Sequence, residues 1–342
     1  MSRFLILVIG LLALASPSAA SPGEQKYADL GTCTLESGAA LDRCRIGYRA
    51  FGVLDAQRSN AILFPTWLTG SSRELADFIG PGKLVDDTRY FVIAVDAFGN
   101  GVSSSPSNSR SQAFPEITIR DMVRAQHRML VEVLGLAHLR AVVGISMGGM
   151  QSFEWMLTYP DFMDVVVPIV GSPRLAPFDL LLWRAELDLL QQCQAARCSN
   201  PALLFDLIND VLGHTPQYLN SRLPRESIDD YVQKTIGGRT KPFHVEDVML
   251  QIRAMMKHDI AAPFGGSQER AAQAIKARLL TVIDRQDSLV TPDPARVLTR
   301  LARGELLELD SGCGHGLPRC EMVRIGRAIQ QRLDSRSAAS GL

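Results

Sequence analysis

The stretch Ala141–Leu157, AVVGISMGGMQSFEWML, limits the fold more than any other part of the chain. Apolar and β-favouring residues run into Gly144-Ile145-Ser146-Met147-Gly148-Gly149, and a helical pattern follows. A strand that becomes a helix across one serine needs a turn too sharp for side chains at the flanking positions, and glycine tolerates that close approach. Gly-x-Ser-x-Gly between strand and helix is the pattern that lifts a serine Oγ above a sheet edge. It also aims the N–H of Met147, at the helix start, where an oxyanion would form. The same five residues can also be a glycine-rich turn that merely lets two elements pack, so the partners of Ser146 decide between the two readings.

A serine hydroxyl is a weak nucleophile at neutral pH and needs a base oriented by a carboxylate. In this architecture the partners follow in the order Ser, acid, His. Of six histidines, His127 and His138 precede the serine, His214 and His244 lie near turns in the middle of the chain, and His258 follows a helical run and reads as surface or lid. His315 stands in Gly-Cys-Gly-His-Gly just past the strand "ELLELD", at the sheet edge expected to carry Ser146. It is the expected base. Asp284 and Asp287 compete for the acid, both ending the strand "LLTVI"; Asp287, which opens a turn leading into a helix, is preferred, and Asp310 is a weaker rival. The second oxyanion donor normally comes from the loop after an earlier strand; in "FPTWLTG" that is the N–H of Trp67 or Leu68. Asp96, in a Gly/Ser-rich loop, reads as a structural tie beneath the site.

Strand, loop and helix alternate through the first half. "NAILFPTW", "YFVIAVD" and "DVVVPIV" read as buried strands, Ile119–Leu134 as an amphipathic helix, and residues 21 to about 35 as irregular. From Arg174 to Gly266 the patterns are helical, clearest at Leu180–Leu190 and Val245–Met256. Alternation resumes with "RLLTVID", a helix over Pro294–Arg303, "ELLELD" and a last helix over Arg319–Leu333. This rhythm predicts a mostly parallel sheet with helices on both faces.

The first twenty residues differ in kind: Arg3, twelve apolar residues from Phe4 to Ala15, then Ser-Pro-Ser-Ala-Ala. Twelve residues rise about 18 Å as helix against a hydrocarbon core of about 30 Å, so residues 1–20 read as a cleaved secretory signal and not an anchor. Export to the periplasm or medium is expected, with no stable membrane insertion afterwards. Six cysteines fall as local pairs: Cys33 with Cys44, Cys193 with Cys198, and Cys313 with Cys320. In an exported protein these are disulfide candidates, and short loops favour the neighbour pairings. No pair has the C-x-x-C spacing and the histidines are scattered, so neither a metal nor another cofactor is expected. The 36 basic and 36 acidic side chains leave no surplus to neutralise a polyanion, which argues against a nucleic-acid partner.

With these residues placed, the chain resembles the α/β-hydrolase superfamily and, within it, the homoserine O-acetyltransferase-like branch. "EITIRDMVRAQHRML" and "GISMGGMQSFEWMLTYPD" carry the likeness, which covers roughly residues 40–333 and is weak in the insertion. It implies an α/β-hydrolase fold over residues 21–342 with a helical lid at 174–266. Through "WLTGSS" it implies Leu68 as the oxyanion donor beside Met147, and through "DSLVTP" Asp287 as the acid. Members that acetylate homoserine carry an acidic residue directly after the catalytic histidine, to hold the substrate's amine; here that position is Gly316. Trp67 stands where the family has a small residue. The resemblance therefore implies acyl-serine machinery acting on a small ester or thioester and weakens an amino-acid substrate. An exported hydrolase of carboxylic esters is the first expectation. An O-acyltransferase that hands the acyl group to an alcohol is the second, and a binding module without chemistry the third.

Overall fold

The computed structural model describes residues 23–110, 113–236 and 242–335; the N-terminal apolar segment lies outside them. Ten strands appear: β1 (Lys26–Asp29), β2 (Cys33–Thr34), β3 (Ala40–Leu41), β4 (Arg45–Phe51), β5 (Ala61–Pro65), β6 (Phe91–Val95), β7 (Leu139–Ile145), β8 (Met163–Ile169), β9 (Arg278–Asp284) and β10 (Glu305–Leu309). Eight of them form one sheet in the order β1-β4-β6-β5-β7-β8-β9-β10. From β6 to β10 every neighbour is parallel, while β4 and β1 close one edge antiparallel. The central strands are buried on both faces yet still alternate. Ile62 and Phe64 pack toward one layer and Ala61 and Leu63 toward the other, as the two-residue side-chain period requires. Each Leu, Ile or Val so buried contributes about 1.5–3 kcal/mol.

The helices Ile119–Arg128 and Met147–Thr158 cover one face, and Met322–Asp334 the other. Three readings need correction. Lys26–Asp29 is a strand and not irregular: it pairs with Arg45–Phe51 through backbone hydrogen bonds. Only Ala28 of its four side chains is buried, so it has almost no hydrophobic signature. The helix begun at Ile119 passes at Met129–Val133 into a wider π turn. The final helix is broken at Glu321 into Leu317–Cys320 and Met322–Asp334.

Between β8 and β9 the regular elements among the described residues are helices, and one antiparallel bridge, Arg174 with Asp259, joins the two ends of the insertion. The helices Pro177–Ala196 and Pro201–Gly213 pack together, and Val245–Met256 reaches into the core with Ile252, Ala254 and Met255 fully buried. Among the described residues no helix is long and apolar enough to cross a membrane.

All six cysteines have their sulfurs at disulfide distance, and in the neighbour pairings. Cys33 on β2 meets Cys44, which directly precedes β4, with the Cα atoms 5.7 Å apart; both side chains are buried, and the link ties the β2–β3 hairpin to the large sheet. Cys193, in the last turn of the helix Pro177–Ala196, meets Cys198 just beyond the helix end, at 4.9 Å between Cα atoms. Cys313 meets Cys320 at 6.6 Å between Cα atoms, so this link brackets His315.

Glu186 is 1% exposed inside the insertion and, among the described residues, receives side-chain hydrogen bonds only from Asn209 Nδ2, at 3.3 and 3.4 Å. Burial pushes its carboxyl up from 4.5 to about 7. The folded state therefore holds this proton more tightly than the unfolded chain does. Stability is fullest below the unfolded value and declines as pH rises through 7, by roughly 3 kcal/mol in all at about 1.4 kcal/mol per unit. Glu186→Gln removes that slope. Urea denaturation should find the variant more stable than the wild type at pH 8 and equal to it near pH 4; a difference independent of pH contradicts this.

Candidate active site

Because β5 to β10 run parallel, their C-terminal ends share one rim, and the loops leaving that rim carry the polar residues singled out above. At its centre β7 ends at Ile145 and the helix Met147–Thr158 begins, with Ser146 between them at φ 56°, ψ −120°. A non-glycine residue in that region costs on the order of 1–3 kcal/mol and persists only where its surroundings hold it. Here they do. A Cβ on Gly144 would fall well inside contact with the Gly148 carbonyl, and a Cβ on Gly148 would collide with the Pro65 carbonyl. A Cβ on Gly149 would lie 3.0 Å from Gly171 Cα. Strand, helix and the end of β5 meet backbone to backbone, and Ser146 is left facing out.

His315 Nε2 lies 2.8 Å from Ser146 Oγ, and His315 Nδ1 lies 2.7 Å from Asp287 Oδ2. The other carboxylate oxygen of Asp287 accepts the N–H groups of Leu289 at 2.9 Å and Val290 at 3.0 Å. Asp287 is thus fixed by its own turn and its side chain is 1% exposed. Asp284 is spent elsewhere: it accepts from the Gln286 N–H at 2.8 Å and from Ser311, tying the β9 end to the loop that carries His315. Asp310 accepts from Gln286 Nε2. Of the three acids, Asp287 is the one hydrogen-bonded to the imidazole. His258 is not on the surface: its side chain is 2% exposed, with Nδ1 3.8 Å from Glu154 Oε2, and burial pushes its imidazole down.

The turn Trp67–Gly70 follows β5. Gly70 N–H donates to Trp67 O at 2.9 Å, and Thr69 N–H donates to Gln251 Oε1 at 2.8 Å. The N–H groups of Leu68 and Met147 donate to no protein acceptor among the described residues. A buried relay supports this corner: Trp155 Nε1 donates to Gln126, Gln126 Nε2 to Gln151, and Gln151 Nε2 to the Thr66 carbonyl at 3.0 Å. Asp96 accepts from both the N–H and Oγ of Ser72 at 2.7 Å, and from Asn100 Nδ2.

A cavity of about 380 Å³ opens above Ser146. Its walls include Trp67, Phe78, Trp183, Phe205 and Leu289, with Asn209 and Glu74 as polar members. Trp67 meets Phe78 edge-on at 5.8 Å, and the Arg319 guanidinium lies 4.9 Å over the Phe78 ring at the rim. Beside His315, a Cβ on Gly316 would come 3.1 Å from His214 Nε2. Among the described residues no group of three or more His, Cys, Asp or Glu side chains could hold a metal ion.

The structure brings the expected Ser146, His315 and Asp287 together; Gln251, Asp179 and Thr215, three insertion residues that hold rim loops, went unmarked in the sequence. Asp179 accepts from the Thr291 N–H at 3.1 Å and the Thr291 hydroxyl at 3.0 Å, on the turn that begins at Asp287. Thr215 Oγ1 donates to the Gly312 carbonyl in the His315 loop. Nothing in their local sequence marks them, since each acts across more than ninety positions.

Residues 61–318 match the model of the alpha/beta hydrolase fold family. The chain is 30% identical over 293 residues to an ethyl acetate hydrolase of Pseudomonas veronii, covering 79% of this chain and 83% of that one. It is 28% identical over 360 residues to a homoserine O-acetyltransferase of Acidiphilium cryptum, covering 90% and 94%. Among solved structures, the acetyl esterase MekB superposes with a TM-score of 0.84 at 26% identity, covering 92% of this chain and 97% of that one.

The elbow's packing is testable by itself. Gly148→Ala forces a methyl against the Pro65 carbonyl and should cost at least about 2 kcal/mol. Gly213→Ala, at a helix end with nothing within 4 Å of the added Cβ, should change stability by less than about 0.5 kcal/mol. Equal urea midpoints for the two variants would refute the close contact.

Proposed function

This chain belongs to the α/β-hydrolase family, in its homoserine O-acetyltransferase-like branch, and we propose that it hydrolyses small carboxylic esters through an acyl-enzyme on Ser146. It is an enzyme of the ester-hydrolysis and acyl-transfer class that its relatives define. The observation that carries the finer reading is the unbroken hydrogen-bond line Asp287–His315–Ser146 on the floor of a cavity.

Ser146 Oγ attacks the ester carbonyl while His315 Nε2 takes its proton. Asp287, bonded to Nδ1, fixes the ring's tautomer and stabilises the imidazolium that forms. The carbonyl oxygen, now an anion, takes the free N–H groups of Leu68 and Met147; loss of one such donor typically costs about 3–4 kcal/mol of transition-state stabilisation. His315 then protonates the leaving alkoxide and the alcohol departs. Water enters, loses a proton to His315 and attacks the acyl carbonyl; the acid departs as His315 returns that proton to Ser146 Oγ.

Two features favour water over an amino-acid alcohol as acceptor. Ser146 is buried at 8% exposure and the His315 side chain is 13% exposed, both at the foot of a cavity wide enough to admit water. Where an acidic side chain would meet the amine of homoserine, there is Gly316, and the space beside it holds the His214 ring. The apolar walls suit the ester of a neutral alcohol. Transfer to such an alcohol is the second reading, favoured by the relatives named as acetyltransferases. We further propose residues 174–266 as the lid, and export after removal of residues 1–20. The disulfide-distance pairs Cys33 with Cys44, Cys193 with Cys198 and Cys313 with Cys320 support an oxidising compartment.

Incubating the purified protein with p-nitrophenyl acetate, with and without homoserine or a simple alcohol, tests this. Free acetate should be the main product in every case, and Ser146→Ala should lower turnover by at least about 10³-fold. Acyl transfer to the added alcohol as the main outcome would overturn hydrolysis in favour of the second reading. Unchanged turnover in Ser146→Ala would show that another nucleophile acts.

A further inference from the structure

We infer that Gln251, on the insertion helix Val245–Met256, is the positioning residue that holds the Leu68 amide toward the oxyanion; the inference rests on the acyl-serine reading above. Gln251 is fully buried and lies 182 positions from the turn it touches. Its Oε1 accepts the Thr69 N–H at 2.8 Å and its Nε2 donates to the Phe98 carbonyl at 2.8 Å. One amide therefore bonds both the turn after β5 and the loop after β6.

Three successive N–H groups in the turn have separate fates. That of Gly70 closes the turn onto Trp67 O, that of Thr69 goes to Gln251, and that of Leu68 has no protein acceptor among the described residues. Thr69 sits at φ 60°, a left-handed conformation that a β-branched residue leaves unless something holds it. The Gln251 bond is such a hold, because it fixes the peptide plane between Leu68 and Thr69. Asn100 Nδ2 adds a second tie, to the Gly70 carbonyl at 3.0 Å. The fit behind Gln251 leaves no room for a side chain on the loop: a Cβ on Gly99 would lie 3.0 Å from Gln251 Cγ. Without Gln251 the Thr69 N–H loses its acceptor, and the turn presents the Leu68 N–H less rigidly. Oxyanion stabilisation depends on donors already aimed before charge develops, so the loss should fall on the chemical step and not on substrate binding.

Two variants separate positioning from general packing. Gln251→Leu removes both bonds at similar volume and should lower kcat for p-nitrophenyl acetate by about 10- to 100-fold, with KM within about twofold. Gln251→Glu makes both bonds only while protonated: the neutral acid donates to Phe98 O and accepts from Thr69, whereas the carboxylate has no proton for Phe98 O, is repelled by that carbonyl and is driven off the position from which it accepts the Thr69 N–H. Burial should lift this carboxyl above the usual carboxylate range. Gln251→Glu should therefore act like the wild type at its low-pH end and lose kcat progressively toward pH 9, where wild-type kcat stays level. A Gln251→Leu protein with kcat within twofold of wild type overturns the inference, as does a Gln251→Glu protein whose pH profile parallels the wild type; if Gln251→Leu does not fold, the pH profile decides alone. A wild-type protein that does not turn over the ester defeats the acyl-serine reading and this inference with it, whereas an active wild type with unaffected variants defeats this inference only.

Discussion

Three backbone segments touch at the centre of this molecule with no side chain between them: the end of β7 at Gly144, the first turn of the following helix at Gly148 and Gly149, and the end of β5 at Pro65. That contact forces Ser146 into its positive-φ backbone state. It also aims the helix's first N–H groups and the serine hydroxyl into the same space. Side chains larger than hydrogen would push the helix off the sheet, and Ser146 could then relax. The strain of this one residue is held by the packing of buried strands on either side, which are far stronger together than the strain they oppose.

From that centre the parallel polarity of the sheet does the rest. Strands β9 and β10 run in the same direction as β7, so their outgoing loops deliver Asp287 and His315 to the rim that already carries Ser146. The insertion ties this rim down. Gln251 bonds the turn after β5, Asp179 the turn after β9, and Thr215 the loop after β10. An element that reads from its position as a cover is thereby joined to three loops of the candidate site.

The sequence was legible where chemistry and local geometry coincide. Ser146 is visible because its turn needs glycines on both sides, and His315 because small residues surround it just after an apolar strand. The cysteine pairs were legible because short loops bring neighbours together, as Cys33 with Cys44 and Cys193 with Cys198 both do. Asp287 was harder to separate from Asp284, since both end the same strand. They differ only in what their oxygens meet: Ser311 and the Gln286 amide for one, the imidazole for the other. The short strand Lys26–Asp29 was illegible because an edge strand held by backbone bonds needs little apolar surface. His258 read as surface because burial beside Glu154 leaves no local mark. Gln251 and Asp179 lie in helices whose periodicity reports their buried faces and not their distant partners, so only three-dimensional neighbours reveal what they hold.

The claim on which the account turns is that acyl groups reside on the Ser146 oxygen during turnover. Rapid acid quenching of the enzyme in the presence of a short-chain ester, followed by intact-mass and peptide mass spectrometry, observes this directly. The account predicts one acyl group per chain, mapped to the peptide containing Ser146. Turnover with no acyl mass on the protein under any quench time, or an acyl group mapped to a different residue, would contradict it.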